Sequence, residues 1–222
     1  MRPFVVFDLD DTLFPEWQYV LSGFRAVDQW LATQSSVLGF YEAACRLFHQ
    51  GHRGKIFDEA LSELGAQPDP TLVATMIAVY REHRPTISLH DDASWALEYF
   101  ASWTAIGLLS DGYLSTQQRK VEALEIQQAF MVIVFSDEFG RQNWKPSPIP
   151  YSAAMDLAGR RGEQCVYVSD NPVKDFVAAK QLGWTTVRIR RPDGEYRDIQ
   201  TDSAHEAHHR ISSLHELQNL IR

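Results

Sequence analysis

The stretch FVVFDLDDT, residues 4–12, opens with four apolar residues and then carries three carboxylates within four positions. The apolar run predicts a buried β-strand, which places Asp8, Asp10 and Asp11 at its carboxyl end. Like charges this close repel one another, and a folded chain usually avoids placing them beside a buried strand. A bound divalent cation would hold such carboxylates together, so the stretch raises the question of a metal site.

Four further apolar, β-branched-rich runs follow, at residues 104–109, 131–135, 165–169 and 185–189. Helical periodicity separates the later runs, over residues 117–124, 149–158 and 173–182. This alternation predicts an α/β fold, a Rossmann-like parallel sheet flanked by helices. Polar residues that end the strands of such a sheet meet at one edge, where functional sites form.

Residues 16–90 interrupt this alternation. They are rich in aromatics and show helical periodicity over residues 17–31, 40–48, 56–64 and 72–80. The interruption predicts an inserted, all-helical cap domain at residues 15–89. The core domain then comprises residues 1–14 and 90–222, and the cap is expected to cover the site.

Composition limits the classes of partner. The 222 residues are 45% hydrophobic and carry a formal net charge of −8, with no basic block. This balance is typical of a soluble globular protein and argues against nucleic acid or an anionic membrane as a partner. Two widely separated cysteines, and an acidic N-terminal region without a signal-peptide core, favour a cytoplasmic location. A monomer or a homodimer is expected.

Four more polar residues follow predicted strands: Ser110, Lys145, Asp170 and Asp175. Each has an ordinary explanation by itself, such as a helix cap or a solvated loop charge. Together with Asp8 and its neighbours they supply a carboxylate nucleophile, an acid/base carboxylate, a hydroxyl, a cation and a candidate Mg²⁺ site. Phosphoryl transfer requires this set of groups.

The chain resembles the haloacid dehalogenase-like (HAD) superfamily of phosphohydrolases. Its four motifs occur in order: VVFDLDDT for the aspartate motif, LLSDG for the Ser/Thr motif, Lys145-Pro146 for the lysine motif, and Asp170 to Asp175 for the acidic pair. The resemblance covers the whole chain and implies a Rossmann-like core. The 97 residues between Thr12 and Ser110 stand where the family inserts its helical C1 cap.

The resemblance implies a mechanism. Asp8 attacks phosphorus to form an aspartyl-phosphate, and Asp10 is the general acid and then the general base. Asp8, the backbone carbonyl of Asp10, and Asp170 hold Mg²⁺, which Asp175 supports from nearby. Thr12 orients Asp10 and its loop.

Phosphate binding is assigned by the same resemblance to three residues. Ser110 and a backbone amide beside it, at Asp111, bind the phosphoryl oxygens, and Lys145 offsets negative charge. The expected substrate is a small phosphorylated metabolite, with sugar phosphates ahead of nucleoside monophosphates. Arg25, on the first cap helix, is a candidate for recognising the leaving group.

Three alternatives remain open at this point. A phosphomutase of the β-phosphoglucomutase type shares the nucleophile but usually shows a DxDG rather than a DxDDT signature. A HAD-fold module that binds without catalysis is disfavoured because each motif residue is present. His205-Glu206-Ala207-His208-His209 matches the H-E-x-x-H pattern of zinc metalloproteases, but in a polar stretch without the expected long helix.

Overall fold

The computed structural model describes residues 2–221 and divides them into two compact units. The core unit runs as far as Glu16 and resumes at Ser88, and the cap unit is Trp17–Ile87. A segment whose regular structure is helical thus stands in the sequence between the first strand and the other strands of the sheet.

A parallel sheet forms the centre of the core unit, as the sequence predicted, but it has six strands where five were expected. Its strands are β1 (Phe4–Phe7), β2 (Ile106–Ser110), β3 (Val132–Phe135), β4 (Cys165–Ser169), β5 (Thr185–Ile189) and β6 (His209–Ile211). The strand order is β3-β2-β1-β4-β5-β6, so β1 lies between β2 and β4. Phe7 pairs with Leu108 on one side and Val168 on the other, which brings the residues after these strands to one edge.

Four helices make up the cap unit: α1 (Glu16–Gln34), α2 (Phe40–His49), α3 (Ile56–Glu63) and α4 (Pro70–Glu82). Helix α1 starts at the last residue of the core unit. Phe24 is buried in the interior of the cap, with the rings of Phe40, Phe48 and Phe57 at centroid distances of 6.1–6.5 Å. These tilted, edge-on contacts are the arrangement that aromatic rings favour, so the cap has a hydrophobic core of its own.

Helices of the core unit cover the sheet: α5 (Asp91–Ala101), α6 (Leu114–Ala123), α7 (Ile149–Ala158), α8 (Phe176–Gln181) and α9 (Leu217–Leu220). Beneath α7, the side chains of Tyr151, Tyr167 and Trp184 are each at most 1% exposed. Their rings meet edge to face at centroid distances of 5.2–6.3 Å. Because β1 to β4 are buried almost throughout, their sequences are mostly apolar, whereas the buried β5 also contains Thr186 and Arg188.

The structure corrects several predicted elements. Strand β6 and helix α5 were absent from the prediction. The helix predicted from Val173 begins only at Phe176, because Asn171–Asp175 forms a turn whose last residue caps α8. At the C-terminal end of the described residues, a 3-10 turn, Leu214–Glu216, is followed by the short α9.

Among the described residues, we find no helix with the length and apolar character needed to cross a membrane. The cytoplasmic location and the monomeric or dimeric state stay predictions.

Candidate active site

Asp8 lies directly after β1 and is 6% exposed. Its backbone N–H donates to Val168 O at 2.9 Å, which extends the parallel pairing by one residue and fixes the start of the acidic turn. Lys145 Nζ lies 2.6 Å from Asp8 Oδ1 and 2.9 Å from Asp175 Oδ1. Burial raises the pKa of Asp8 to about 6 even though Lys145 acts to lower it.

Lys145 is itself buried, and its ammonium group also donates to the hydroxyl of Tyr167 at 2.8 Å. Burial acts to lower the pKa of Lys145, but the carboxylates of Asp175 and Asp8 outweigh burial and raise it. The lysine therefore stays charged, with Asp8 as a direct partner. Lys145, expected from the lysine motif to offset negative charge, thus lies beside Asp8.

The side chain of Asp111 binds Lys145, Lys174 and a residue of the loop that precedes Lys145. Its Oδ1 accepts from the Lys145 backbone N–H at 3.0 Å and from the Ser136 hydroxyl at 2.6 Å, and its Oδ2 lies 2.7 Å from Lys174 Nζ. Burial acts to raise the pKa of Asp111, but Lys145 and Lys174 lower it. An ionised carboxylate offers no donor to a phosphate, so a phosphate contact from Asp111 would come from its backbone amide.

Asp8, Asp170 and Asp175 form a buried acidic cluster in which one oxygen of each lies within 4.8 Å of the others. Asp175 Oδ2 accepts from the Ser169 hydroxyl at 2.5 Å and from the Asn171 N–H at 3.2 Å. Asp170 Oδ2 is buried and has no hydrogen-bond partner among the described residues. Burial, and then the charges of Asp175 and Asp8, raise the pKa of Asp170 well above its usual value.

This cluster fits a divalent cation. Converging carboxylates and an unsatisfied buried oxygen are the donor set that Mg²⁺ prefers, and a bound cation would remove the repulsion. The predicted ligands Asp8 and Asp170 lie together here. Asp175 was predicted only to support the metal site from nearby, but its carboxylate also lies close enough to be a ligand. The ligand predicted from Asp10 was its backbone carbonyl, not its side chain.

The Asp10 side chain, 21% exposed, is bound by two residues that the sequence analysis did not identify. Lys120 Nζ lies 2.6 Å from Asp10 Oδ1, and Gln117 Nε2 lies 2.8 Å from Asp10 Oδ2. Gln117 Nε2 also donates to Ser110 Oγ at 2.6 Å. The acid/base candidate and the phosphate-binding hydroxyl are thus joined through one side chain.

The contacts of Asp11 and Thr12 join the acidic turn to neighbouring segments. Asp11 has a positive φ of 51°, and its carboxylate accepts from the N–H groups of Glu16 at 2.8 Å and Glu195 at 3.1 Å. It therefore ties the acidic turn to the start of α1 and to the segment after β5. Within residues 2–221 the buried Thr12 hydroxyl has no hydrogen-bond partner, and the Thr12 carbonyl accepts from Arg191 at 2.7 Å. The role of Thr12 in orienting Asp10 stays a prediction.

These residues surround a cavity of about 140 Å³, in which seven of the ten lining residues are Asp or Glu. Lys174 and the half-buried Tyr196, neither found by sequence reasoning, also line it. Ligand pockets commonly measure about 300–1,000 Å³, so this cavity accommodates a phosphoryl group rather than a whole metabolite. Without a metal, its surplus of carboxylates would repel a phosphate.

The zinc-protease alternative finds no support. Residues 205–208 lie in turns and β6 begins at His209, so no helix holds the two histidines one turn apart. His205 pairs with Asp202 at 2.8 Å, and Glu206 pairs with Arg188 at 3.0 Å and Arg210 at 2.9 Å. The metal-binding cluster found among residues 2–221 is the aspartate cluster.

Arg25 lies in the cap unit, on α1, where its guanidinium stands over the ring of Tyr41 at 4.7 Å and donates to the Tyr41 hydroxyl at 3.1 Å. It lines a cavity of about 430 Å³ within the cap. Arg84 and the buried His83 also line this cavity, and its lining includes no acidic residue. The cap cavity is therefore cationic, in contrast to the acidic cavity of the core.

Comparison with known proteins places these features in a family. A model of haloacid dehalogenase-like hydrolases matches residues 5–189. The glyceraldehyde 3-phosphate phosphatase of Methanocaldococcus jannaschii is 28% identical, aligned over 98% of this chain and 96% of that protein. The phosphatase of the same name from Methanopyrus kandleri is 29% identical over 88% and 86%.

A more partial relative is the phosphoserine phosphatase of Thermus thermophilus, 28% identical over 63% of this chain and 55% of that protein. Two solved structures share the fold across the chain. The 2-haloacid dehalogenase from Pseudomonas syringae pv. Tomato has a TM-score of 0.68 at 23% identity, covering 99% of this chain and 98% of that one. The HAD-hydrolase YfnB from Bacillus subtilis has a TM-score of 0.70 at 17% identity with the same coverage.

Proposed function

The chain belongs to the haloacid dehalogenase-like hydrolases, and we propose that it hydrolyses a small phosphomonoester in a Mg²⁺-dependent reaction through an aspartyl-phosphate. The observation that carries the proposal is the buried Asp8 carboxylate, with Lys145 at 2.6 Å and Asp170 and Asp175 beside it. The two relatives that align with most of the chain are named as phosphatases, which favours phosphate esters as substrates. The likeness to a dehalogenase concerns the fold alone.

In the first step, a carboxylate oxygen of Asp8 attacks the phosphorus. The ester P–O bond breaks, and the proton held by Asp10 passes to the leaving oxygen. In the second step, a water molecule attacks the phosphorus and gives its proton to Asp10. The bond between phosphorus and Asp8 then breaks, which releases inorganic phosphate and returns both carboxyl groups to their starting states.

The surrounding residues stabilise the charge that this chemistry moves. Lys145 offsets charge on Asp8 and on the phosphoryl group, and the Ser110 hydroxyl is held in place by Gln117 for a phosphoryl oxygen. Mg²⁺, held by Asp8, Asp170 and Asp175, would supply the positive charge that lets a phosphate enter an acidic cavity. The unpartnered Asp170 Oδ2 supports this assignment.

A panel of phosphate esters tests the proposal, measured with Mg²⁺ and again with EDTA. We expect phosphate release with Mg²⁺, its loss in EDTA, and its recovery when Mg²⁺ is returned. The panel includes a haloacid, for the dehalogenase reaction, and a sugar monophosphate followed by NMR, for a mutase. Halide release, isomerised sugar phosphate, or full activity in EDTA would contradict the proposal.

The substrate class follows from the cap and the relatives. The core cavity holds little more than a phosphoryl group, and the cap cavity lined by Arg25 and Arg84 is cationic, which suits an anionic group. The relatives named for glyceraldehyde 3-phosphate favour a short sugar phosphate over a nucleoside monophosphate.

Arg25→Ala tests this part of the proposal, with Arg46→Ala as a control. Arg46 is an exposed cap arginine paired with Glu63 at 2.6 Å and does not line the cavity. Arg25→Ala should raise KM for sugar phosphates and leave p-nitrophenyl phosphate almost unchanged, while Arg46→Ala alters neither. A common loss on every substrate in Arg25→Ala would refute a role for Arg25 in leaving-group recognition.

A further inference from the structure

Two residues of one helix hold the acid/base candidate from both sides. Gln117 and Lys120 are three positions apart on α6, so their side chains emerge on the same face of the helix. Lys120 binds Asp10 Oδ1 at 2.6 Å and Gln117 binds Asp10 Oδ2 at 2.8 Å. Because each carboxylate oxygen has a different donor, the plane of the carboxyl group cannot rotate without losing a contact.

Burial makes these contacts strong. Gln117 is 1% exposed and Lys120 is 3% exposed. A buried ammonium group is costly unless it is paired, so the Lys120 contact to Asp10 is hard to exchange for water. A buried amide carries a similar, smaller penalty when it loses its acceptor. The carboxyl group is therefore held by two buried side chains.

Gly112 leaves room for this arrangement. Its φ of +134° lies in the region that favours glycine, and a Cβ at this position would lie 3.3 Å from Gln117 Cδ. The loop after β2 can therefore pass close to Gln117. Gln117 also donates to Ser110 Oγ at 2.6 Å, so the same amide group contacts both the acid/base candidate and the phosphate-binding hydroxyl.

We propose that Gln117 and Lys120 are positioning residues that orient the Asp10 carboxyl group for proton transfer to the leaving oxygen. This inference rests on the proposed phosphomonoester hydrolysis. Orientation matters because a proton moves efficiently only across a well-aligned hydrogen bond, and small misplacements of a reacting group are costly. Lys120 also counters negative charge in the cavity, but the uncharged Gln117 does not. A Gln117 variant therefore separates the effect of orienting Asp10 from the effect of removing a positive charge.

The test uses two leaving groups. An alkyl phosphate such as glycerol phosphate expels a basic alkoxide and requires a proton from Asp10, whereas p-nitrophenyl phosphate expels a stable phenolate. The ratio kcat/KM reports the steps up to leaving-group departure, so it isolates the acid role of Asp10 from its later role as a base. Gln117→Met keeps the size of the side chain and removes its donors.

We expect Gln117→Met to lower kcat/KM for the alkyl phosphate by about 10- to 100-fold, and for p-nitrophenyl phosphate by less than about threefold. Lys120→Met should show the same selective loss on the alkyl phosphate, in addition to a loss common to both substrates, because it also removes a positive charge. Gln118→Met is the matched control, since Gln118 is exposed on the same helix, and it should change neither rate. Thermal unfolding of each variant verifies that the fold is retained.

An equal loss on both substrates in Gln117→Met would overturn the inference, because it would indicate an effect through Ser110 or through packing. An unchanged alkyl rate would overturn it as well. Failure of the parent protein to hydrolyse either ester with Mg²⁺ would instead refute the proposed function, so the two failures are distinguishable.

Discussion

Removing the charge of Asp8 should stabilise the metal-free protein while abolishing turnover. Burial raises the pKa of Asp8 from 3.8 to about 6, so the ionised form is unfavourable in the folded state. Each unit of pKa shift corresponds to about 1.36 kcal/mol, and a shift of about two units corresponds to about 3 kcal/mol. Asn at this position has the shape of Asp and carries no charge, so Asp8→Asn should recover an energy of this order.

The sign of the pH dependence follows from proton linkage. A carboxyl group whose pKa is raised in the folded state binds more protons folded than unfolded between pH 4 and pH 6. Its contribution to stability therefore falls as the pH rises through this window. Asp8→Asn should match the parent near pH 4 and exceed it above pH 6. For a chain of this length, a change of about 3 kcal/mol in the free energy of unfolding corresponds to a change of about 6–12 °C in Tm.

The assay is thermal unfolding of the parent and Asp8→Asn in EDTA, from pH 4 to pH 8. Asp156→Asn, at an exposed position of α7, is the control and should follow the parent throughout. Added Mg²⁺ should raise the Tm of the parent more at pH 7.5 than at pH 5, because the ion replaces protons on the cluster. The reasoning is refuted if Asp8→Asn is no more stable than the parent at pH 7.5, or if its advantage is independent of pH.

Three further variants probe the core unit. Lys145→Met should lower kcat/KM for alkyl and aryl phosphates together, by about 10²- to 10³-fold, because it removes charge stabilisation common to both; a selective loss would contradict this role. Asp92→Ala should lower the free energy of unfolding in urea by about 3–5 kcal/mol, because Arg191 donates to both Asp92 oxygens at 2.8 Å and is buried; a change below 1 kcal/mol would refute this. Gly162→Ala should lower the free energy of unfolding by about 3 kcal/mol or more, since a Cβ would lie 1.7 Å from Leu182 O; wild-type urea stability would show that the backbone yields there.

Much of the core was predictable because its strands are buried on both faces. Strands β1, β3 and β4 show almost uninterrupted apolar side chains, and this pattern is visible without a structure. Strand β6 is different. It has three residues, His209–Ile211, of which two are exposed, and it pairs with β5 on one side. An edge strand of this kind has no apolar run, so periodicity cannot reveal it.

The aspartates of the site were predictable from their positions after strands, but the residues that hold them were not. Helix α6 reads as a polar, solvated helix, since Gln117 and Lys120 lie among Thr, Arg and Glu. The available signal was weak: Val121, a buried apolar residue, shares a helix face with both. When a helix follows a strand that ends in site residues, some of its polar residues can share a face with a buried apolar residue. Such polar residues are candidates for buried contacts with the site.

In the proposed reaction, Asp8 carries the phosphoryl group during turnover. The most direct measurement is rapid acid quench of a single turnover with radiolabelled substrate and Mg²⁺, followed by peptide mapping. The account predicts a transient label on the peptide that contains Asp8, sensitive to hydroxylamine as an acyl phosphate is, and absent from Asp8→Asn. Phosphate release without labelled protein, or label on another residue, would contradict it.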